Sequence, residues 1–263
     1  MGINKSIQEK RAVIEKFTLM DDIFFEAFAD DKKAIQEMLR VILDDPKLVV
    51  LEVITQRKIR NLYGRSVQLD ALCKLGDGTN AEIEIQNEDN DDHVKRAYFN
   101  GAQIVVKNSQ TGTPFADIPK VIVIFISKFD VFGDGLLVYH PQYVIRETGK
   151  VLNLGVEYIF VNASAAGDTS KLARFMKRMQ EKNVNDPEFP ELTRKFNQLK
   201  HDEGGFQHMC KLMEEYTEES RAEALMQGKK QMIEDALKAG KTMQEIASFY
   251  GKTVDELKTI LNA

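Results

Sequence analysis

Alternation of apolar and polar residues is the clearest pattern along the chain. Residues 67–75 and 81–86 are each apolar at nearly every second position, and the turn sequence LGDGT lies between them. Because successive side chains of a strand point to opposite faces, the pattern predicts a β-hairpin with one apolar face. The other face gathers three carboxylates, those of Asp70, Glu82 and Glu84. Like charges opposed across strands are destabilising, so their presence needs an explanation.

Helical and strand periodicities on either side place this hairpin in an α/β order. Apolar residues recur at helical spacing in residues 18–45, with a break near Asp30, and again in residues 91–109. A β-rich run at 47–55 precedes the hairpin, and the stretch 120–127 contains a continuous apolar run, as in a strand covered on both faces. The order is helix, three strands, helix, strand. It predicts an α/β fold with a mixed central sheet flanked by helices.

The remainder of the chain has mainly helical periodicity, and we predict three regions. Residues 1–168 form the α/β domain, residues 169–230 a helical extension or linker, and residues 231–263 a small helix-turn-helix-like segment. The second helix of that segment carries Asp255 and Glu256, which would face phosphates unfavourably. The segment therefore favours packing or homodimerisation through the C-terminal helices over DNA reading.

Charge and composition restrict the function. The net charge of -5 gives the chain no general attraction to nucleic acid, so DNA binding needs a local basic patch or a metal ion. Two cysteines are too few for a disulfide framework and favour a reducing compartment. The apolar run 121–126 is too short to span a membrane. We therefore expect a cytoplasmic protein with no membrane contact.

The turn fixes which acidic residues meet. A hairpin that folds symmetrically about Asp77 places Asp70 opposite Glu84, with Cβ atoms roughly 5 Å apart. Two such carboxylates can share a Mg²⁺ ion, and the backbone carbonyl of Ile85 could add a third oxygen. The alternative is a solvated face of an antiparallel sheet, which also shows apolar and polar alternation. The pattern alone leaves both interpretations open.

The spacing Asp70-x(13)-Glu84-x-Gln86, set in the helix–strand order above, resembles the PD-(D/E)XK nuclease superfamily. More closely, it is similar to the PD-(D/E)XK nuclease family transposases, also called recombination-promoting nucleases. The same branch is resembled by LMDDIFF at 19–25, by the stretch at 55–70, by IFISKFDVFGDGLLVYH at 124–140 and by RETG at 146–149.

This resemblance implies a restriction-endonuclease-like αβββαβ core and a DNA endonuclease or nickase that depends on Mg²⁺ or Mn²⁺ in the bacterial cytoplasm. It assigns catalysis to Asp70, Glu84 and Gln86, and metal binding to Asp70, Glu84, the Ile85 carbonyl and an acid of the N-terminal helix. That acid is Asp21 or Asp22, and Asp21 is preferred. Gln86 occupies the position that is Lys in the best-known form of the motif, although this branch is similar in having Gln there.

The resemblance also places DNA beside this site. Lys95 and Arg96 open the helix after the third strand and would contact phosphates, and Arg65 would do the same at the entrance to the second strand. Because Gln brings no charge to the motif, a second interpretation stays open. In it the same fold is a non-catalytic module that binds DNA or protein.

Overall fold

The computed structural model describes residues 6–59, 67–89, 92–109, 111–112 and 114–262. Its contacts divide the chain into two compact units, Met1–Met209 and Cys210–Ala263. The domain boundaries predicted at residues 168 and 230 stay predictions. Within the described ranges, no helix is both long and apolar enough to cross a membrane.

The first unit follows the predicted order of elements. Its helices are α1 (Ile7–Ile14), α2 (Asp22–Ala29), α3 (Lys32–Ile42), α4 (His93–Asn108), a 3-10 turn (Phe115–Asp117), α5 (Lys171–Met179) and α6 (Pro190–His201). Its strands are β1 (Val50–Ile59), β2 (Val67–Leu75), β3 (Asn80–Gln86), β4 (Val121–Ser127), β5 (Val138–Tyr139), β6 (Tyr143–Val144), β7 (Val151–Leu152) and β8 (Val156–Asn162). The predicted break near Asp30 separates α2 from α3.

A six-stranded sheet in the order β1-β2-β3-β4-β8-β5 forms the centre of this unit. The first three strands pair antiparallel, β3, β4 and β8 pair parallel, and β5 closes the far edge antiparallel to β8. The expected mixed α/β architecture is confirmed. The carboxyl ends of the parallel strands β3, β4 and β8 meet at one edge of the sheet, which is where α/β proteins place their ligands.

Helices cover both faces of the sheet. On one face α4 packs over an apolar cluster whose members include Leu69, Ala97, Ile104, Val123 and Phe160. Helices α2 and α3 contact β1 and β2 but are absent from that cluster, so they lie on the other face. Every residue of β4 is buried, as expected for a strand covered on both sides.

Small residues let α4 approach the sheet closely. A Cβ atom added to Gly101 would lie 3.0 Å from the Tyr158 hydroxyl and 3.1 Å from Cγ2 of Val123. Contacts this short are tighter than ordinary van der Waals packing, so α4 could not keep its position with a larger residue there. The absent side chain at Gly101 therefore sets the distance between α4 and the sheet.

The strict alternation predicted for β2 breaks at Asp70. Both Leu69 and Leu72 pack in the cluster under α4, although alternation would separate them. The partner position on β1, by the register of Thr55 with Ala71 and Arg57 with Leu69, is Gln56, which has φ +47°. A non-glycine residue with positive φ is uncommon and marks local strain. The alternation of side chains along the β1–β2 ribbon is therefore interrupted beside Asp70.

A buried lysine ties the N-terminal segment to α6. Lys200 is 2% exposed, and its ammonium group donates to the carbonyl oxygens of Glu15 at 3.0 Å, Phe17 at 2.8 Å and Lys182. It also lies 4.7 Å from the centre of the Phe196 ring. Burial lowers the pKa of Lys200 to about 8. All three ammonium protons are thus hydrogen-bonded inside the protein.

The second unit is helical and has a small core of its own. The helix α7 (Glu203–Lys238) continues into it, and α8 (Met243–Tyr250) and α9 (Val254–Asn262) follow. The buried residues of the core are Ile233, Ile246, Ala247 and Leu257. The Thr242 and Glu245 side chains form a capping box, which fixes the first turn of α8.

Candidate active site

The first pair of predicted site residues lies where the β2–β3 ladder ends. The ladder pairs Leu72 with Glu82 and closes with Ala71 opposite Ile83, as the predicted hairpin register requires. Continued by one step, the same register would place Asp70 opposite Glu84, and burial together with the charge of Glu84 raises the pKa of Asp70. Beyond the ladder, the Ile85 N–H has no strand partner, and it donates to Oδ2 of Asp70 at 3.0 Å. Asp70 therefore stands in for the backbone acceptor that β2 would otherwise supply.

The acidic face of the hairpin is buried. Glu82 is 0% exposed and Glu84 is 1% exposed, because α4 lies over them. The interpretation of this face as an ordinary solvated surface is therefore wrong. Burying carboxylates is costly unless each has a partner, so the groups that α4 brings to them decide the character of the site.

Arg96 of α4 is the main partner. Its Nη2 donates to Oε1 of Glu84, and its Nη1 donates to Oε1 of Gln86 at 2.8 Å. The amide nitrogen of Gln86 donates to the Glu88 carbonyl at 2.8 Å, so both ends of this side chain are engaged. Gln86 thus holds the guanidinium over Glu84. A positive charge stands beside the motif even though Gln86 itself is neutral.

Asn100 is the second partner from α4, one helical turn after Arg96. Its Nδ2 donates to Oε1 of Glu82 at 2.6 Å, and Oε2 of Glu82 has no hydrogen bond to any described residue. Residues four apart lie on the same helical face, so Arg96 and Asn100 were recognisable as a pair from their spacing. The sequence interpretation used only Arg96, and as a DNA contact.

The carboxyl groups of the site share more negative charge than their partners balance. Burial and the neighbouring Glu84 raise the pKa of Asp70 well above its usual value. Burial and Glu84 likewise raise the pKa of Glu82 well above its usual value. Burial also raises the pKa of Glu84, although Arg96 acts against this. A bound cation would relieve the repulsion that contributes to these shifts.

The N-terminal helix brings a further acid close to this cluster. The amide of Asn87, just after β3, donates to the carbonyl of Met20 and so ties the start of α2 to the end of β3. Asp22 is close enough to raise the pKa of both Asp70 and Glu84 by charge repulsion. Burial and then Asp21 raise the pKa of Asp22 itself.

Asp21, preferred from the sequence, has different partners. Its Oδ2 accepts from the Thr18 N–H at 2.7 Å and from the Thr18 hydroxyl at 2.8 Å. These bonds fix the chain just before α2. The assignment of Asp21 to the metal stays a prediction, and the electrostatic contacts favour Asp22 in that role. To choose between Asp21 and Asp22 one must know which side of α2 faces the carboxylate cluster, and the sequence does not give that orientation.

The donor set fits a small divalent cation. One oxygen of each facing carboxylate is engaged, whereas Oε2 of Glu84 is buried without a partner, and Oδ1 of Asp70 makes no hydrogen bond, within the described residues. Carboxylate oxygens are the ligands that Mg²⁺ and Mn²⁺ prefer. Among the described residues no group of three or more His, Cys, Asp and Glu is arranged to hold a metal ion. Two carboxylates and water would therefore form most of the shell.

The backbone of Ile85 supports its proposed carbonyl ligand. The Gln86 carbonyl accepts from Lys128 and the Asn80 N–H donates to Lys120, so even-numbered residues of β3 direct their backbone groups toward β4. Odd-numbered residues direct theirs toward β2. The Ile85 N–H reaches Asp70 in agreement with this, and its carbonyl points to the same side.

Lys95 and Arg65 are the remaining residues that were predicted to contact phosphates. Lys95 is exposed, and its ammonium group pairs with Asp92 of its own helix at 2.7 Å. It lies near the N-terminus of α4, at the same edge of the sheet, but makes no contact with the carboxylate cluster. Arg65 lies outside the described residues.

A mixed sheet in αβββαβ order, with two acids where the ladder between its second and third strands ends, defines a nuclease-like fold of the PD-(D/E)XK type. The chain matches the family model described as PD-(D/E)XK nuclease family transposase over residues 19–248, and it belongs to that family. The searches of curated proteins and of solved structures returned no match.

Proposed function

We propose that the chain is a divalent-metal-dependent DNA endonuclease or nickase of the transposase type, which hydrolyses phosphodiester bonds. The observation that carries this proposal is the pair Asp70 and Glu84, beside the guanidinium of Arg96. One carboxylate oxygen of each acid accepts a hydrogen bond, and the other has no hydrogen-bond partner among the described residues. Family membership supports a nuclease-like activity on nucleic acid.

Each side chain has a role in this proposal. Asp70 and Glu84 would hold Mg²⁺ or Mn²⁺ with the Ile85 carbonyl, and Asp22 would accept from water in the outer shell. When bound, the ion would stabilise the charge that develops on the phosphate and lower the pKa of water. Gln86 positions Arg96, and Arg96 supplies the charge that Lys supplies in the best-known motif.

Location and assembly remain part of the proposal. A chain with only two cysteines, Cys73 and Cys210, is consistent with a reducing cytoplasm. Homodimerisation through the C-terminal helices stays a prediction, and a measurement of molar mass in solution would test it. Lys95 and Arg65 stay candidate phosphate contacts.

Cleavage of supercoiled plasmid in the presence of Mg²⁺ or Mn²⁺ tests the function. Asp70→Asn and Glu84→Gln keep side-chain size and remove one charge each, so we expect the cleavage rate to fall about 100-fold or more. Glu157→Gln is the matched control, because Glu157 pairs with Lys120 near the amino ends of β4 and β8. Open circles as the first product indicate a nickase, whereas early linear product indicates cutting of both strands.

The competing function is a binding module without turnover. One observation favours it: the Gln86 amide oxygen accepts from Arg96 and its nitrogen donates to the Glu88 carbonyl, which leaves only one N–H and one lone pair for water or substrate. If wild type cuts no faster than the Asp70→Asn/Glu84→Gln double variant but still retards DNA in a gel, hydrolysis is excluded and the binding module is supported.

A further inference from the structure

A groove runs beside α4 over the surface of β1 and β2. It encloses about 430 Å³. Its floor is aliphatic and includes Ile54, Leu72 and Ile104, and its rim carries Arg57, Lys74 and Lys107. We call this feature the basic groove. It forms where α4 stops covering the sheet, so that the face of β1 and β2 next to it stays open.

The cations of the basic groove lack an ionic partner within the described ranges. Arg57, Lys74 and Lys107 make no salt bridge with any residue in the described part of the chain. Several basic side chains elsewhere are paired, as in Lys120 with Glu157, Arg174 with Glu188 and Arg194 with Asp31. The rim includes one acid, Glu52, which is opposite Lys74 across the β1–β2 pair. Three cations and one acid therefore make a local positive patch on a chain of net charge -5.

The basic groove approaches the candidate active site along β2. Leu72 of its floor is opposite Glu82 and only two residues from Asp70 on β2. At the rise of a strand, two residues span roughly 7 Å, which is about one nucleotide step of an extended chain. A strand whose phosphate lies at Asp70 and Glu84 can therefore continue along β2 into the groove.

We propose that the basic groove binds one single strand of nucleic acid that extends from the cleavage site. Phosphates would contact Arg57, Lys74 and Lys107, and sugar or base surfaces would cover the aliphatic floor. This inference rests on the proposed function, because it describes how the substrate of the same site is held. It adds that the nucleic acid is single-stranded where it lies in the basic groove.

Charge and size select this occupant. An anionic polymer with regular phosphates matches several unpaired cations around an apolar floor, which is the general arrangement of single-strand binding grooves. The major groove of a B-form duplex is alone about 12 Å wide, so the two backbones lie far apart. A cleft of about 430 Å³ has room for part of one strand and not for both backbones. An acidic peptide would satisfy the rim charges, and it is an outcome of the test.

The triple variant Arg57→Ala/Lys74→Ala/Lys107→Ala tests the proposal. Binding of a short fluorescent single strand is followed by anisotropy in EDTA, so that no cutting takes place. We expect affinity to fall at least about tenfold. If all three contacts are lost, the slope of log K against log salt should shrink by roughly 2, since each phosphate contact to a single strand contributes about 0.7.

A matched triple, Lys32→Ala/Lys33→Ala/Lys177→Ala, removes the same charge from exposed positions of α3 and α5. It should keep the wild-type salt slope. Both triples should keep the wild-type stabilisation by Mn²⁺, because none of their residues is placed at the metal. Loss of that stabilisation in the groove triple alone would point to damage of the fold and contradict a binding role.

The outcomes separate this inference from the proposed function. If wild type fails to cut plasmid but the groove triple still loses single-strand affinity, hydrolysis is wrong and the groove assignment is supported. If both triples bind the single strand like wild type, the groove assignment is overturned, whatever the cleavage result. Binding only to duplex, or displacement of wild type by an acidic peptide as readily as by the single strand, would also overturn it.

Discussion

Two places in the first unit bury charge, and they do so in opposite ways. At Lys200 every ammonium proton is donated to a main-chain carbonyl, and an aromatic ring covers the group. At the carboxylate cluster, Oε2 of Glu82 and Oε2 of Glu84 are buried without a partner in the described residues. The first arrangement is complete and serves stability. The second is incomplete, as expected of a site whose last partner arrives with ligand.

The comparison gives its largest expected effect at Lys200. Lys200→Met leaves three main-chain carbonyls without their donor, so we expect the free energy of unfolding to fall by about 3 kcal/mol. Urea unfolding near pH 7 measures the change. Lys195→Met is the matched control, because Lys195 is 9% exposed on the same helix and donates no hydrogen bond to a described residue. A similar loss in both variants would contradict the role given to the three carbonyls.

A metal ion should complete the second arrangement and stabilise the fold. At a concentration of Mn²⁺ or Mg²⁺ a hundredfold above Kd, the free energy of unfolding should rise by about 2.7 kcal/mol. Asp70→Asn should remove most of this gain, while Glu157→Gln should keep it. Thermal unfolding with and without the ion provides the measurement. Equal stabilisation of wild type and Asp70→Asn would exclude Asp70 as a ligand.

Arg96 and Lys95 are neighbours on α4 that should differ in effect. The side chain of Glu84 is 2% exposed, so Arg96→Ala leaves a buried carboxylate without its cation, and stability should fall by about 2 kcal/mol. Lys95 pairs with Asp92 in solvent, and Lys95→Ala should leave unfolding unchanged. Chemical denaturation in EDTA measures both. An effect at Lys95 as large as that at Arg96 would contradict the role given to the Arg96–Glu84 ion pair.

Stability should also depend on pH through the buried acids. The pKa of Glu82 in the folded protein is raised by burial and by Glu84, so the folded state binds its proton more tightly than the unfolded state does. Stability from this group is present below about pH 4.5, the usual value of a Glu pKa, and is lost as the pH rises toward the higher pKa of the folded state.

Glu82→Gln removes this titration but can keep an oxygen for Asn100. In EDTA the wild type should therefore lose stability relative to Glu82→Gln as the pH rises from 5 to 7. Parallel pH profiles for the two proteins would show that Glu82 does not titrate in this interval.

Local patterns predicted much of the fold. Periodicity gave the order of helices and strands, and the turn around Asp77 gave the register that pairs Leu72 with Glu82. The sequence did not show that α4 covers the acidic face, because that depends on the close approach allowed by Gly101 rather than on any property of β3. It also missed the break at Asp70, since a positive φ at Gln56 has no sequence signal. Interactions between elements, unlike the elements, needed the structure.

The near-contact at Gly101 has a consequence for how mutations in this fold should be interpreted. A single methyl group there would press against Tyr158 and Val123 and tilt α4 outward by a fraction of an ångström. Because the same helix carries Arg96 and Asn100, that tilt would weaken the hydrogen bonds that these two residues donate to the buried acids. A steric change away from the carboxylates would thereby alter the activity of the site. The distance between α4 and the sheet therefore helps to determine the geometry of the site.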